Sequence, residues 1–243
     1  MEQYIEETNK NAKRFISAYN RLDTGLRDIY SIKRTLNYSD MIRKVATVNI
    51  VVQKFEEDLI DYGRLRNAIV HGNSEEIIAE PNASVVEKLE KIARLINTPP
   101  KVIDCLRSRQ VYAVSGDSTL KEVIYKMGRM GYSIIPVYIE NTLIGVINRK
   151  MIIDSISNFI KEGRDISMAM DEPISECTNI FSETSHYEIV PANITIENLL
   201  YIFEQNRKLS SVILTENGNY NEEPKAVVVS ADIIDLNKIL DNY

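Results

Sequence analysis

The sequence has few of the residues that bind transition metals, because its 243 residues include only two cysteines and two histidines. Cys105 and Cys177 are far apart in the chain and lack the close spacing of zinc ligands. The sequence therefore predicts no metal site. Two unpaired thiols are typical of a reducing compartment, so we expect a cytoplasmic protein.

The sequence also lacks a long apolar run. No stretch approaches the roughly 20 apolar residues that a membrane-spanning helix needs. The opening residues, Met-Glu-Gln-Tyr-Ile-Glu-Glu, have neither the basic start nor the apolar core of a signal peptide. The net charge of −6 argues against a broad electrostatic attraction to nucleic acids or acidic membranes, but it allows a small basic groove. We expect no membrane partner.

The length predicts two domains, and Thr98-Pro99-Pro100 marks their boundary because proline disfavours helix at its own position and the one before. Residues 1–98 carry apolar residues at helical spacing. Two such runs are Phe15, Ala18, Leu22, Leu26 and Ile29, and then Val48, Val52, Phe55, Leu59, Tyr62 and Ile69. A third helix is expected near Ser84, with Glu87 completing a capping box. This domain is predicted to be an all-α helical bundle without strands.

Residues 99–243 repeat one pattern of strand, helix, strand, strand and helix. The first copy covers about 99–160, and a connector with the second copy covers about 161–243. The matching segments are Ser133–Tyr138 with Leu209–Leu214, and Gly145–Asn148 with Val227–Ser230. Each copy is too small to bury its own sheet, so the copies should pack together. The predicted fold class is α+β, with a helical bundle followed by two β-α-β-β-α repeats.

Three motifs in the first copy resemble the CBS domain: Asp-x-Thr-Leu at 117–120, Ile-Pro-Val at 135–137 and Gly-Val-Ile at 145–147. The tandem pair resembles a Bateman module over about residues 99–243. The resemblance implies that an adenine-type nucleotide binds between the repeats and regulates an attached domain. AMP, ATP, S-adenosylmethionine and cyclic dinucleotides are the expected ligands, and no cofactor is required. The alternative is a pair that serves only as a dimerisation scaffold.

The resemblance also implies a set of binding residues at the first strand, the Ile-Pro-Val strand and the start of the last helix. They are Val111, Tyr112, Ser133, Ile134, Pro136, Asn148, Val190, Ser210, Ser230 and Asp232. In the family a hydroxyl or helix N-terminus meets phosphate, and a carboxylate meets the ribose.

The two repeats depart differently from the family's Thr/Ser-x-x-Asp motif. Asn148 and Met151 replace the hydroxyl and the carboxylate in the first repeat. In the second repeat Ser230 is in place and Asp232 comes one residue early. The second repeat is therefore the better candidate for binding a nucleotide.

The segment from Leu65 to Gly72 gathers a cation, an amide and an imidazole. On a continuous helix Asn67 and His71 would lie on one face, because they are four positions apart. Arg66 could reach the same place, and Gly72 suits the residue that ends a helix.

The Arg66-Asn67-x3-His71 motif resembles that of the HEPN family of helical domains. The resemblance implies a metal-independent endoribonuclease whose active site is shared by the two protomers of a homodimer. His71, with an ordinary pKa of about 6.5, would transfer the proton. Arg66 would neutralise the scissile phosphate, and Asn67 would orient His71 or RNA. The alternative is structural, with His71 capping carbonyls and Arg66 paired with Asp58 or Asp61.

Together these patterns predict a nucleotide-sensing regulator in which a CBS pair controls a helical domain that binds or cleaves RNA. The competing hypothesis is a non-enzymatic sensor or scaffold whose helical domain docks a partner protein.

Overall fold

The structure is a computed structural model that describes residues 9–71, 76–106, 111–177 and 187–243. The chain forms two compact units. The helical unit contains Met1–Pro100 with Leu240–Tyr243, and the repeat unit contains Lys101–Ile239. The predicted fold class, a helical bundle followed by β-α-β-β-α repeats, is confirmed.

The helical unit is built on one long amphipathic helix. Its helices are α1 (Lys10–Ile29), α2 (Tyr38–Ala46), α3 (Ile50–Lys54), α4 (Glu56–Ile69) and α5 (Ala83–Asn97). The predicted apolar face of α1 is buried except for Ile29, which is 53% exposed at the end of the helix. Phe15 packs edge-on against Tyr62 of α4, with ring centroids 5.8 Å apart. Arg14 donates two hydrogen bonds to Glu90 of α5, at 3.0 and 2.7 Å. All five helices contribute buried side chains to the core of this unit.

The second predicted helix is interrupted, and the prediction of one continuous run from Val48 to Ile69 is wrong. The side chain of Asn49 accepts a hydrogen bond from the amide of Val52 and starts α3 there. Phe55 leaves the helical conformation between α3 and α4. Val48, which precedes the cap, is 68% exposed.

Two smaller predictions for this unit are also wrong. Helix α5 begins at Ala83 after Asn82, so Ser84 is not its N-cap. The unit is not free of strands, because β1 (Val70–His71) pairs antiparallel with β2 (Glu76–Ile77). Val70 already has an extended backbone and ends α4.

The repeat unit contains two three-stranded sheets of the same topology. Its first repeat comprises β3 (Val114–Ser115), α7 (Leu120–Met130), β4 (Ile134–Ile139), β5 (Thr142–Asn148) and α8 (Arg149–Lys161), preceded by the short α6 (Val102–Cys105). The connector holds α9 (Ile166–Ala169) and α10 (Ile174–Cys177). The second repeat comprises β6 (Tyr187–Pro191), α11 (Ile196–Gln205), β7 (Ser211–Thr215), β8 (Ala226–Val229), a 3₁₀ turn (Ser230–Asp232) and α12 (Ile233–Asn242). The central strand of each sheet is parallel to the first strand and antiparallel to the third.

Local sequence explains where the repeat helices begin and end. Thr119 and Glu122 form a reciprocal capping box at the start of α7. Thr195 caps α11 by accepting a hydrogen bond from the amide of Asn198. Gly131 ends α7 in the left-handed region, with φ of 73°, where glycine carries no steric penalty.

One face of each sheet packs on the other repeat. Leu143 and Val146 of the first repeat form a buried cluster with Tyr187 and Ile213 of the second. Neither sheet could leave this face in water without exposing large apolar side chains. The apolar contact between repeats therefore explains why they form a single unit.

Gly63 in α4 provides a test of packing in the helical unit. A methyl group on Gly63 would lie 2.8 Å from Cδ1 of Tyr38, whereas one on Gly128 of α7 would meet nothing within 4 Å. We expect Gly63→Ala to lower the free energy of unfolding by about 1–3 kcal/mol through overpacking. Gly128→Ala should raise it by up to about 1 kcal/mol because alanine favours helix. Urea unfolding followed by circular dichroism measures both, and a stabilising Gly63→Ala would contradict the close approach.

Candidate functional site

A cavity of about 100 Å³ in the repeat unit is lined by residues from both repeats. The first repeat contributes four of the predicted binding residues, and the second contributes two residues of β8. The four are Val111, Tyr112, Ser133 and Ile134, and the two are Val227 and Val229. The structure therefore brings together the predicted first-strand and β4 positions. Pro136 is buried in β4 opposite Val146, and it does not line the cavity.

Two tyrosines form the aromatic part of this cavity. The rings of Tyr112 and Tyr132 are parallel to within 7°, with centroids 6.2 Å apart. Lys126 Nζ lies 4.9 Å from the centroid of the Tyr112 ring. Arg149 Nη2 donates a 3.4 Å hydrogen bond to the carbonyl oxygen of Tyr132. Aromatic faces flanked by cations suit a planar, anionic ligand.

Sequence reasoning missed Tyr132, Lys126 and Arg149 as members of this site. Tyr132 directly precedes the predicted Ser133 and was available from the sequence. Lys126 lies in α7 and Arg149 starts α8, so only the fold places them beside the tyrosines.

Asp232, a predicted binding residue before the last helix, forms a hydrogen bond within its own turn. Asp232 is 6% exposed, and its Oδ2 accepts a 2.9 Å hydrogen bond from the amide of Val229. This bond closes the 3₁₀ turn that begins at Ser230. The carboxylate that the CBS resemblance assigns to the ribose is thus already hydrogen-bonded within the protein. Val229 pairs with Ser211 as Asn148 pairs with Ile134, so Asp232 occupies the place of Met151. The prediction that Asp232 comes one residue early, with Ser230 at the place of Asn148, is therefore wrong.

Asn148 has a comparable local role in the first repeat. Its Oδ1 accepts a 3.0 Å hydrogen bond from the amide of Met151 and caps α8. An amide can replace a hydroxyl as a cap, which explains why asparagine is compatible with this position.

At the central strands, the structural match between the two repeats differs by one residue from the match of Ser133–Tyr138 with Leu209–Leu214 made from the sequence. In β4, Ile134 faces the second repeat and Ile135 faces the helices of its own repeat. In β7, Ile213 faces the first repeat, and Ser211 shares that face because side chains alternate. Ser211, and not Ser210, therefore takes the place of Ile134. Ser210 lies just before β7 and does not line the cavity.

Ser211 is a buried hydroxyl next to the cavity. It is 0% exposed and pairs across the strands with Val229, which lines the cavity. Among the described residues, its Oγ has no hydrogen-bond partner. Val190 lies in β6 opposite Leu214, is buried, and does not line the cavity. The predicted second-repeat set is therefore not gathered into this cavity.

The proposed ribonuclease motif changes in the structure. Arg66 is half-buried and Asn67 is exposed in α4, whereas the backbone of His71 belongs to strand β1. The inference that Asn67 and His71 share one helix face is wrong, because the helix ends at Ile69. The side chain of His71 and residue Gly72 lie outside the described residues.

The surroundings of Arg66 also correct the structural alternative. Asp61 pairs with Arg64 at 2.8 Å, and Asp58 pairs with Lys88 at 2.7 Å, so both carboxylates contact other cations. Burial raises the pKa of Tyr19, and the nearby positive charge of Arg66 opposes this rise.

Within the described ranges, no group of three or more histidine, cysteine, aspartate or glutamate residues could hold a metal ion. In the same part of the chain, no helix is both long enough and apolar enough to cross a membrane.

Residues 102–158, which include most of the first repeat, match the family model described as the CBS domain. The search of curated proteins gave no match.

Several solved structures are similar to part of the chain. AcuB from Vibrio cholerae is 13% identical, with 58% of this chain and 93% of that chain covered, at a TM-score of 0.44. CBSX2 in complex with AMP is 11% identical, with 58% and 98% covered, at 0.43. The CBS domain of a bacterial CNNM/CorC family Mg²⁺ transporter in complex with ATP is 20% identical, with 62% and 94% covered, at 0.41. At these scores the likeness carries no argument of its own.

A substitution of Ser211 tests whether its hydroxyl lacks a hydrogen-bond partner in the protein without ligand. A buried hydroxyl without a partner costs about 1–3 kcal/mol, so Ser211→Ala should raise the free energy of unfolding by about 1 kcal/mol. Ser155 is the control, because it is similarly buried and its Oγ donates a 2.9 Å bond to the carbonyl of Met151. Ser155→Ala should not stabilise the protein. Urea titration measures the free energy of unfolding of both variants. If Ser211→Ala lowers it, the hydroxyl already has a partner.

Proposed function

We propose that the repeat unit binds an adenine-type nucleotide in the cavity between the repeats. The observation that carries this proposal is the parallel pair of Tyr112 and Tyr132, which offers flat faces to a base. Lys126 and Arg149 beside this pair supply positive charge for the phosphates. The hydroxyl of Ser211 is available to a polar edge of the ligand. The CBS match over residues 102–158 supports the same ligand class.

Binding must open the cavity. Its volume of about 100 Å³ is below the roughly 300 Å³ at which small-molecule sites begin. A nucleotide can enter only if the side chains of one repeat move away from those of the other. The ligand then favours an open arrangement over the closed one, and such differential binding is the physical basis of a sensor. Such an opening would couple binding of the nucleotide to the arrangement of the two repeats.

Base stacking predicts which changes reduce binding. Stacking on one aromatic side chain contributes about 1–3 kcal/mol per base, so Tyr112→Ala or Tyr132→Ala should weaken AMP binding at least about fivefold. The phenylalanine variants should bind nearly normally, because they keep the ring. Tyr201→Ala, at a site 38% exposed in α11, is the control. Isothermal titration with AMP, ATP, S-adenosylmethionine and cyclic di-AMP measures the effect.

Two results would contradict this proposal. If none of the four ligands binds the wild-type protein, the repeat unit is a scaffold. If the phenylalanine and alanine variants lose affinity equally, the tyrosine rings do not stack on the ligand.

We further propose that the nucleotide controls RNA binding or cleavage by a homodimer of the helical unit. Asn67 is exposed in α4 beside Arg66, which favours access by a large ligand. The homodimer is supported by Ile153 of α8 and Ile234 of α12, which occupy matching positions in the two repeats and are 62% and 64% exposed. Two exposed isoleucines at matching positions suit a symmetric apolar contact.

Cleavage of RNA in the presence of a chelator tests the catalytic role. We expect His71→Ala and Arg66→Ala to reduce the rate at least about a hundredfold, the scale of a lost general acid or base. Arg64→Ala is the matched control, because Arg64 is an exposed cation of the same helix that pairs with Asp61. Sedimentation velocity should give a dimer for all variants. Equal cleavage by the variants would remove the catalytic assignment, and no cleavage by the wild type would favour the partner-docking alternative.

A further inference from the structure

A second cavity in the repeat unit, of about 660 Å³, lies beside the β7–β8 loop. Its size falls within the range of about 300–1,000 Å³ that is typical of small-molecule sites. It shares Val111 with the smaller cavity, and its other walls are residues 113–115, Tyr138, the β4–β5 turn and the β7–β8 loop. No residue of the nucleotide site other than Val111 lines it.

The β7–β8 loop is an ordered structure with no counterpart in the first repeat. The β4–β5 connection consists of two residues, Glu140 and Asn141, whereas residues 216–225 connect β7 to β8. Within this loop, the carboxylate of Glu222 accepts hydrogen bonds from the backbone amide and side-chain amide of Asn217, at 2.7 and 2.8 Å. These bonds lower the pKa of Glu222 to about 2. The loop therefore keeps its shape through its own hydrogen bonds.

The loop is also fastened to the first repeat. The amide of Leu143 donates a 2.7 Å hydrogen bond to the carbonyl of Tyr220. The hydroxyl of Tyr138 donates a 2.9 Å bond to the carbonyl of Glu222. With its backbone held at two points, the loop places Asn221, Glu223 and Pro224 as a wall of the cavity.

The polar side chains that line this cavity favour a cationic ligand. Glu140 contributes one carboxylate and Glu223 the other, and Asn141 and Asn221 contribute amides. None of the described lining residues is a lysine or arginine. Burial is the main cause that raises the pKa of Tyr138 to about 12, and the negative charge of Glu223 adds to the rise. A phosphate would be repelled here, in contrast to the cavity beside Lys126 and Arg149.

The apolar side chains that line this cavity favour a ligand that also has hydrocarbon groups. Val111, Ala113 and Pro224 offer hydrocarbon surface between the polar groups. A divalent metal ion, which binds oxygen ligands, would gain nothing from that hydrocarbon surface. An aliphatic amine would use both parts, with ammonium groups at the carboxylates and methylenes on the apolar surface.

We infer that this cavity binds an aliphatic polyamine or a related organic cation. Glu140 and Glu223 pair with its ammonium groups, and the β7–β8 loop holds Glu223 in place. The inference does not depend on the nucleotide site, since it rests on a different cavity and the opposite ligand charge.

Titration with spermidine tests this site, using the full chain and isothermal calorimetry at low salt. We expect saturable binding of one spermidine per chain. Glu140→Gln with Glu223→Gln should weaken it about tenfold, because each exposed ion pair contributes modestly. The matched control is Glu162→Gln with Glu204→Gln, which removes two exposed carboxylates elsewhere in the repeat unit. The control should bind like the wild type, and circular dichroism should show both double variants folded.

Three outcomes would overturn the inference. Spermidine binding that does not saturate would mean that no site exists. An equal loss in both double variants would mean that the ligand responds only to overall charge. Competition by equimolar Mg²⁺ would mean that the carboxylates attract any cation, whereas retained binding of putrescine or agmatine would support a site for organic cations.

Discussion

The apolar contact between the two sheets is the interaction on which the repeat unit depends. Each three-stranded sheet is covered by its own helices on one face only. The other face is completed by Leu143, Val146, Tyr187 and Ile213, drawn from both repeats. The two cavities described above lie along this junction, since each is lined by residues of both repeats.

The two cavities differ in electrostatics although they share one wall. Tyr112 lies near the cation of Lys126, while the other cavity presents Glu140 and Glu223. The proposed nucleotide and the proposed organic cation would therefore each be favoured by a different cavity.

Much of the fold could be predicted from the sequence, because its local rules agree with its packing. The cap at Thr119, the break at Pro99-Pro100 and the repeated strand pattern all act over short distances. Four binding positions of the first repeat also met in one cavity. The rest depended on longer-range geometry. An alignment cannot detect a one-residue shift between Ser210 and Ser211, because serine fits either face of a strand. Likewise, periodicity alone could not show that the cap at Asn49 would divide a helix.

The unequal hairpins of the two repeats have a consequence for ligand stoichiometry. A module made of two identical halves would offer two equivalent clefts and could bind two copies of one ligand. Here one hairpin turns through Glu140 and Asn141, and the other spans residues 216–225. The pseudo-twofold relation between the repeats is therefore broken at their hairpins, so the two cavities would present different surfaces to a ligand.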